Sequence, residues 1–297
     1  MRQNTDGGGQ METHEHVVHS SHLNKDMHII QYGHSGVPFL GFPTQCAPCT
    51  NYEDFGVTTT LRAYLEGGEM QLFCVETVDD ESWYCDNGIN TWRSARQESY
   101  HRFVVDEVIP LIKEFTPSGM RPFVMGADMG ATQAAISFFR RPELFDGLIA
   151  LSGIYDSSYY YHGWMDSTLY DNSVECFLAN MPEDHPWIRE YNSSFILMCC
   201  GRGAWEDECY RTLRYLDKIL HRKRISAMID YWGEDVSHDW PWWRHQLEYF
   251  IPIVIREHSL VASRSSARSM TSGWVPRIRT PLALRSAARF RGVWPPN

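Results

Sequence analysis

The sequence predicts an α/β protein with a doubly wound, mostly parallel sheet and helices on both faces. Short apolar runs alternate with helical stretches along most of the chain, which is typical of strand–helix–strand units. The apolar run Phe123–Ala127 ends in a Gly-x-Asp-x-Gly pattern and passes directly into the helix-forming residues 131–139. Polar loops also follow two later apolar runs, one containing Glu206 and the other His238.

The individual elements follow from local patterns. Residues 27–32 and 37–42 predict consecutive strands, joined by a Gly-His-Ser-Gly turn. A short helix with a closing glycine pair is predicted at 54–67, and a long amphipathic helix at 95–115. The remaining strands are predicted at 70–75, 148–152, 195–200 and 225–231, together with the apolar run that begins at Phe123 and ends in the Gly-x-Asp-x-Gly pattern. The remaining helices are predicted at 131–139, 206–220 and 241–255.

The composition is that of a water-soluble globular protein, with 43% hydrophobic and 22% charged residues in 297. No apolar run approaches the roughly 18 residues of a membrane span. The first nine residues lack the apolar core of a signal peptide. We therefore expect a cytoplasmic protein that does not enter a membrane, and the sequence leaves its oligomeric state open.

The negative charge is concentrated in the body of the chain. The formal net charge is -10, yet residues 259–297 contain seven arginines and no acidic residue. Without that segment the chain therefore carries about -17, ten negative charges plus the seven that the arginines offset. Such a body disfavours nucleic acid as a partner.

Three regions are predicted from these patterns. Residues 1–26 are polar and histidine-containing, and residues 257–297 are basic and aperiodic, so both are expected to be disordered. Residues 27–256 are expected to form the folded domain. An aromatic, polar insertion at 155–191 within it is either a lid over the site or a segment that packs on the sheet edge.

Cysteines and histidines outside the polar loops offer weaker signals. The eight cysteines are scattered, several of them inside apolar runs, so reduced buried thiols are expected rather than a disulfide framework. Cys46 and Cys49 have C-x-x-C spacing, which is either a buried or incidental pair, a redox pair or half of a metal site. The histidines of the leader are either solvated or metal-binding, and no complete metal-ligand set or phosphate-binding loop is evident. We therefore expect no cofactor and no metal.

The Gly-x-Asp-x-Gly pattern occupies the position of a nucleophile elbow, a sharp strand-to-helix turn that exposes its central side chain. That central residue is Asp128. An acid and then a histidine follow an elbow of this kind in chain order. Glu206 is the candidate acid, with Asp207 and Glu208 as competitors, and His238 lies in the last strand–loop–helix segment.

Several blocks of the sequence resemble one family. They are Phe42-Pro43-Thr44, Tyr52-Glu53-Asp54-Phe55-Gly56, Glu81-Ser82-Trp83-Tyr84, residues 145–153, Cys200-Gly201-Arg202-Gly203-Ala204-Trp205-Glu206 and Ser237-His238-Asp239-Trp240-Pro241-Trp242-Trp243. With these blocks, residues 27–255 resemble the esterase family of α/β-hydrolases that includes S-formylglutathione hydrolase (esterase D) and the mycobacterial mycolyltransferases. The resemblance implies an α/β-hydrolase fold and hydrolysis of small acyl esters.

The resemblance also implies roles for individual residues. His238 matches the catalytic base and Glu206 the acid that orients it. Met129 matches the residue whose N–H forms half of the oxyanion hole, and either Thr44 or Gln45 supplies the other half. A small ester or ester-like ligand is the implied partner, with Trp83, Tyr155 and Trp240 as candidate substrate contacts.

The sequence departs from the family at Asp128, where the family has serine. A carboxylate that attacks an acyl carbon must expel an alkoxide to go forward, although the pKa of its own acid is near 4 and that of water near 16. Reversal is thus favoured by about 12 units, on the order of 16 kcal/mol. An anionic Asp128 would also repel the oxyanion that the hole is built to bind.

Three interpretations of Asp128 remain open at this level. In the first it attacks a saturated carbon, as in dehalogenases and epoxide hydrolases of the same fold, and His238 then activates water. Met129 replaces the tryptophan that is common beside such an aspartate. In the second, Asp128 and His238 act together as a general base on water. In the third, the chain is a degenerate hydrolase that binds a ligand or partner through the old pocket.

Overall fold

The computed structural model describes residues 11–117 and 119–269. Within them, eight strands form one sheet in the order β1-β2-β4-β3-β5-β6-β7-β8. Neighbouring strands from β4 to β8 run parallel, whereas β1 pairs with β2, and β2 with β4, in antiparallel fashion. The strands are β1 Thr13–Ser20, β2 Lys25–Tyr32, β3 Val37–Phe42, β4 Met70–Val75, β5 Phe123–Ala127, β6 Gly147–Leu151, β7 Phe195–Cys200 and β8 Met228–Tyr231.

The connections between the strands are mostly helical. The helices are α1 Asn51–Asp54, α2 Val57–Thr60, α3 Arg62–Glu66, α4 Asn90–Phe103, α5 Ile109–Glu114, α6 Met129–Arg140, α7 Ser158–Tyr161, α8 Ser167–Asp171, α9 Val174–Asn180, α10 Pro186–Tyr191, α11 Asp207–Arg222 and α12 Trp240–Ser269. Short 3-10 turns lie at Asp79–Glu81 and Pro142–Leu144.

Successive strand residues alternate between two hydrophobic clusters, one on each face of the sheet. In β6, Leu148 belongs to the first cluster and Ile149 to the second. Helices α4, α6 and α11 pack on the first face, and α12 packs on the second. The predicted fold class, a doubly wound and mostly parallel sheet with helices on both faces, is confirmed.

The strands predicted at 27–32 and 37–42 form, but they are not neighbours in the sheet. Strand β4 lies between them and pairs in parallel with β3, from Val37 opposite Met70 to Gly41 opposite Cys74. The turn between β2 and β3 predicts a reversal of the chain, whereas partner choice depends on the crossover through α1–α3, which returns β4 beside β3.

The expectation of a disordered leader is wrong for residues 13–26. Strand β1 pairs with β2 along its whole length, from Thr13 opposite Tyr32 to Ser20 opposite Lys25. Most of its side chains are exposed or half-buried because it is an edge strand, so its composition is polar although its backbone is ordered. Residues 1–10 of the predicted leader lie outside the described residues.

Two predicted helices differ in form from those observed. The single helix predicted at 54–67 is divided into α1, α2 and α3, with Gly56 at φ 75° before α2. The helix predicted at 95–115 begins earlier, at Asn90, and contains a π-helical segment, Val104–Val108, before α5. That segment precedes Pro110, which lacks the N–H donor of a regular helical turn.

The chain divides into two compact units, Met1–Arg256 and Glu257–Asn297. The expectation of a disordered tail is wrong for residues 257–269, which are helical and continue α12, since adding a residue to a helix that has already formed avoids the cost of nucleation. Residues 270–297 of the predicted tail lie outside the described residues. None of the helices in the described ranges combines the length and the apolarity needed to cross a membrane.

Candidate active site

Candidate site residues converge at the carboxyl ends of the parallel strands, the edge at which open α/β sheets bind ligands. Asp128 directly follows β5, and Thr44 and Gln45 follow β3. Glu206 lies between β7 and α11, immediately before the helix begins. His238 lies between β8 and α12.

Asp128 occupies a strained turn between β5 and α6. Its backbone has φ 55° and ψ -126°, and its N–H donates to the carbonyl of Leu151 on β6 at 3.0 Å. A positive φ is uncommon outside glycine, although aspartate and asparagine tolerate it better than most residues. The turn leaves the side chain 18% exposed at the edge of the sheet.

The two glycines of the elbow are required for space rather than for a positive φ. A Cβ atom on Gly126 would lie 2.1 Å from the carbonyl of Gly130, and one on Gly130 would lie 2.3 Å from the Phe42 oxygen. Neither glycine has a positive φ, which at this turn belongs to Asp128 alone. The pattern thus allows β5, α6 and the loop after β3 to approach closely.

The carboxylate of Asp128 accepts a backbone hydrogen bond from the loop after β3. The N–H of Gln45 donates to Asp128 Oδ2 at 3.0 Å, whereas the N–H of Thr44 donates to Asn51 Oδ1 at 3.0 Å. Of the two oxyanion-hole candidates, Gln45 is therefore the one whose amide faces Asp128. Met129 is the first residue of α6, where helix N–H groups have no intrahelical acceptor.

His238 faces Asp128 with one ring nitrogen and Glu206 with the other. Its Nε2 lies 3.3 Å from Asp128 Oδ1, and its Nδ1 lies 3.7 Å from Glu206 Oε2. The sulfur of Cys209 lies 3.6 Å from the same Nδ1. Sequence reasoning missed Cys209, which is within the first turn of α11 and was one of several scattered cysteines.

Backbone hydrogen bonds hold the two loops that carry Glu206 and His238 together. The N–H of Gly203 donates to the carbonyl of Val236 at 2.9 Å, and the N–H of His238 donates to the carbonyl of Ala204 at 2.9 Å. Gly203 has no room for a Cβ atom, which would lie 2.7 Å from the Val236 oxygen. This contact explains the glycines of the block 200–206.

The hydroxyl of Ser152 binds the carboxylate of Glu206. Sequence reasoning did not assign Ser152 a role. Its hydroxyl donates to Glu206 Oε1 at 2.6 Å and accepts from the indole N–H of Trp243 at 3.1 Å. Ser152 follows β6 directly and has φ 54°. Its position after a strand was the available signal, as for Asp128.

The charges of the site favour a protonated His238. Burial lowers the pKa of His238, but the hydrogen bond with Asp128 and the contacts with Cys209 and Glu206 outweigh it and raise this pKa to about 12. Asp128 and His238 therefore form an ion pair at neutral pH. An imidazolium cannot accept a proton, so His238 is not available as a base while Asp128 keeps its charge.

A second buried carboxyl group supports the loop that carries Gln45. Asp79 Oδ2 accepts the N–H of Cys46 at 3.3 Å, and its Oδ1 accepts from Gln133 Nε2 at 3.1 Å. Burial raises the pKa of Asp79 to about 6, and the charge of Asp128 adds to the increase. Sequence reasoning missed Asp79, although acidic residues just after β4 were a signal of the same kind as Glu206 after β7.

The predicted substrate contacts Trp83, Tyr155 and Trp240 lie in packed surroundings. Their exposed fractions are 2%, 2% and 6%, so these side chains offer little surface to a ligand. Trp83 contacts the rings of Tyr160 and Tyr161, and Trp240 stacks on Phe55 at 5.0 Å. Aromatic residues after strands therefore contribute here to the core, and their assignment to the substrate is not supported.

Two tyrosines that the sequence left unassigned lie within the electrostatic reach of Asp128. The charge of Asp128 contributes, after burial, to raising the pKa of Tyr84 and of Tyr160 above its ordinary value. Their rings are in edge-to-face contact at 5.4 Å, and Tyr160 belongs to α7 of the insertion at 155–191. The insertion thus supplies at least one residue to the surroundings of Asp128.

The protein-family model described as Putative esterase matches residues 50–251. A search of curated proteins gave no match. Among solved structures, the chain is similar to a ferulic acid esterase, with 16% identity, a TM-score of 0.65, and coverage of 83% of this chain and 98% of the other.

Two S-formylglutathione hydrolases are similar to the same extent. The enzyme from Agrobacterium tumefaciens has 15% identity and a TM-score of 0.66, with 86% and 98% of the two chains covered. The enzyme from Staphylococcus aureus has 14% identity and a TM-score of 0.62, with 85% and 100% covered. These similarities show an α/β-hydrolase fold, and the family match, which spans more than half of the sequence, shows that the chain belongs to the Putative esterase family.

Proposed function

We propose that this chain is an esterase-family hydrolase whose nucleophile is the carboxylate of Asp128, and that it acts on small molecules with an electrophilic saturated carbon, such as epoxides or alkyl halides. The observation that carries the proposal is that the two carboxylate oxygens of Asp128 have different partners. Oδ2 accepts the N–H of Gln45, and Oδ1 faces His238.

This arrangement does not favour hydrolysis of an acyl ester by the serine-type route. The amide of Gln45, which would stabilise the oxyanion of the substrate, is already bound to Asp128 Oδ2. His238 is paired with the charge of Asp128 and is protonated at neutral pH. Neither the oxyanion hole nor the base is therefore available to an incoming acyl group.

The same arrangement suits attack at a saturated carbon. Oδ1 forms a bond to the substrate carbon, the bond to the leaving group breaks, and the leaving group departs with the electron pair. An epoxide oxygen leaves on the side opposite Oδ1, away from His238, and takes its proton from water. The product of this step is an alkyl ester of Asp128, which carries no charge.

Loss of that charge prepares the second step. Without the carboxylate beside it, the pKa of His238 falls, so the neutral imidazole can take a proton from water. The resulting hydroxide attacks Cγ of Asp128, and the oxyanion develops on Oδ2, which already bonds to the Gln45 N–H. Collapse of this intermediate breaks the Cγ–Oδ1 ester bond, releases the alcohol and restores the carboxylate.

Three variants test the proposal with purified full-length protein. We expect the wild type to convert a member of a small epoxide and haloalkane panel, and Asp128→Ala to convert none. His238→Gln should stop after the first step, and mass spectrometry should then find the substrate bound to the peptide that contains Asp128. An absence of any such adduct in His238→Gln across the panel would contradict the proposal.

Asp128→Ser tests whether the other groups of the site support ester hydrolysis once the carboxylate is replaced by a hydroxyl. Removing the carboxylate frees the Gln45 N–H and lowers the pKa of His238, so we expect hydrolysis of p-nitrophenyl acetate to rise roughly 100-fold over the wild type. Asp128→Ala is the matched control and should not gain this activity. Equal rates for all three proteins would show that Glu206 and His238 do not act as a catalytic pair.

A further inference from the structure

Three metal-binding groups meet on the side of His238 that faces away from Asp128. The donor atoms of Glu206, Cys209 and His238 all lie within 4.8 Å of one another. His238 Nδ1 is 3.6 Å from Cys209 Sγ and 3.7 Å from Glu206 Oε2. His238 Nε2 is engaged separately, by Asp128.

The separations fit the edges of a tetrahedron around zinc. Zinc lies about 2.0–2.1 Å from a histidine nitrogen, 2.0–2.2 Å from a carboxylate oxygen and about 2.3 Å from a thiolate sulfur. Tetrahedral angles then place nitrogen about 3.6 Å from sulfur and about 3.4 Å from oxygen. The two separations from Nδ1, 3.6 and 3.7 Å, need adjustments of only a few tenths of an ångström. The third, between Glu206 and Cys209, is within 4.8 Å and has to become about 3.6 Å, so binding draws these two side chains together by up to about an ångström.

The burial of Glu206 is a second observation that points to a ligand. Glu206 is fully buried, and its Oε2 accepts no hydrogen bond among the described residues, its contact with His238 Nδ1 being 3.7 Å long. The other oxygen, Oε1, accepts from Ser152, which in turn accepts from Trp243. Buried carboxylate oxygens are normally paired, because an unpaired one loses its hydration without compensation. A cation between the three groups would satisfy Oε2.

We propose that Glu206, Cys209 and His238 form a binding site for Zn²⁺ or a divalent cation of similar softness. Thiolate and imidazole select such ions over Mg²⁺ and Ca²⁺, which prefer oxygen ligands. The Ser152 hydroxyl, bonded to Oε1, orients the carboxylate in the way that outer-shell groups orient metal ligands.

The ion would act as a reversible inhibitor of the candidate catalytic histidine. It replaces the proton on Nδ1, so the remaining proton of the neutral ring is fixed on Nε2 and the ring cannot accept another. Binding releases the Cys209 thiol proton and any Nδ1 proton to solvent. The binding does not depend on the proposed function, whereas the inhibition rests on it.

Cobalt replaces zinc as the spectroscopic probe. After chelator treatment and buffer exchange, the full chain is titrated with Co²⁺ alone. We expect one equivalent to give a thiolate-to-cobalt charge-transfer band together with the visible bands of a tetrahedral ion. Zn²⁺ should then displace it. Absence of the thiolate band in the wild type overturns the proposal.

Two ligand variants and one matched control assign the band. Cys209→Ser should abolish it, and Glu206→Gln should keep it while weakening Co²⁺ affinity at least about tenfold. Cys176→Ser, which changes a partly exposed cysteine elsewhere, should leave it unchanged. Circular dichroism checks the fold, and Cys209→Ala replaces Cys209→Ser if that variant unfolds. A band that survives both Cys209 substitutions would refute the site.

Histidines of the edge strand provide an internal comparison. His14, His16 and His19 on β1 lack a neighbouring cysteine on that strand, so cobalt bound there would give no thiolate band. Binding with a band but without turnover of any substrate would refute the proposed function and keep the metal site. Turnover that Zn²⁺ does not inhibit, together with no thiolate band, would refute the metal site and keep the proposed function.

Discussion

Asp79 supports the loop after β3 that carries Gln45, and burial of its carboxyl group costs electrostatic free energy. Its carboxyl group is completely buried, and it accepts hydrogen bonds from Cys46 and Gln133. Burial raises its pKa from 3.8 to about 6. Between these values the folded protein binds a proton that the unfolded chain has released, so stability falls as the pH rises through this window.

We expect Asp79→Asn to remove this pH dependence. Above pH 6 the wild type has lost about 3 kcal/mol at 1.36 kcal/mol per pKa unit, and the neutral amide avoids this loss. The free energy of unfolding above pH 6 should therefore increase by about 1–3 kcal/mol. The side-chain oxygen of the new amide can still accept the Cys46 N–H, and Gln133 can rotate its amide to accept from the new NH₂ group. Urea unfolding at pH 4, 5, 6 and 7 measures it. Exposed Asp80→Asn is the control, and an unchanged slope for Asp79→Asn would contradict the argument.

At single positions, the sequence predicted the residues that lie in recognisable local patterns. Asp128, Glu206 and His238 each follow an apolar run and precede a helical stretch, and the structure brings these three side chains together. Ser152, Asp79 and Cys209 take part through contacts between distant segments, for example Ser152 with Glu206. Such pairings depend on sheet order, which no local pattern encodes.

At the scale of elements, the approach of α6 to β5 and to the loop after β3 fixes the elbow. Gly130 lies against the backbone of Phe42 and Pro43, the residues that lead into Gln45. The helix therefore sets the position of the Gln45 amide relative to Asp128. Any increase in the distance between α6 and this loop would lengthen the bond between Gln45 and Asp128.

Gly130→Ala should accordingly destabilise the protein by about 2–3 kcal/mol, because the new methyl group would overlap the Phe42 and Pro43 oxygens at 2.3 and 2.5 Å. Gly163→Ala is the control: it has open space within 4 Å and bears only the strain of φ 80°, about 1 kcal/mol. Thermal unfolding followed by circular dichroism compares the two. Equal losses would show that the elbow relaxes freely.

Element boundaries show where sequence patterns succeed and where they do not. The strands β3, β4 and β7 coincide with the predicted ranges, because each is a mostly apolar run buried on both faces. Strand β1 was not predicted, because an edge strand needs few apolar residues and its ladder with β2 provides its order. The π-helical segment Val104–Val108 likewise has no periodic signature.

At the scale of the whole molecule, a single sheet carries one hydrophobic cluster on each of its faces. Ile136 on α6 belongs to the cluster on the first face and Ile251 on α12 to that on the second, and both are buried. The sheet lies between the two clusters, and both depend on the same strands. We expect the two clusters to be energetically independent locally and to unfold together.

Ile136→Val and Ile251→Val should each cost about 1 kcal/mol. The double variant should lose their sum within about 0.5 kcal/mol, since the sites share no neighbour across the sheet. Urea unfolding followed by both fluorescence and circular dichroism should give one transition. Two transitions, or a coupling above about 1 kcal/mol, would show that the faces do not behave as one cooperative unit.

The strained turn at Asp128 has an evolutionary consequence. Its conformation depends on the glycines and strands around it, and its side chain projects from the sheet edge with 18% exposure. Under the proposed function, exchange of that side chain would alter the reaction at the site, while the surrounding glycines and strands keep the turn in place. A lineage with this fold could then gain or lose a reaction in one substitution at position 128.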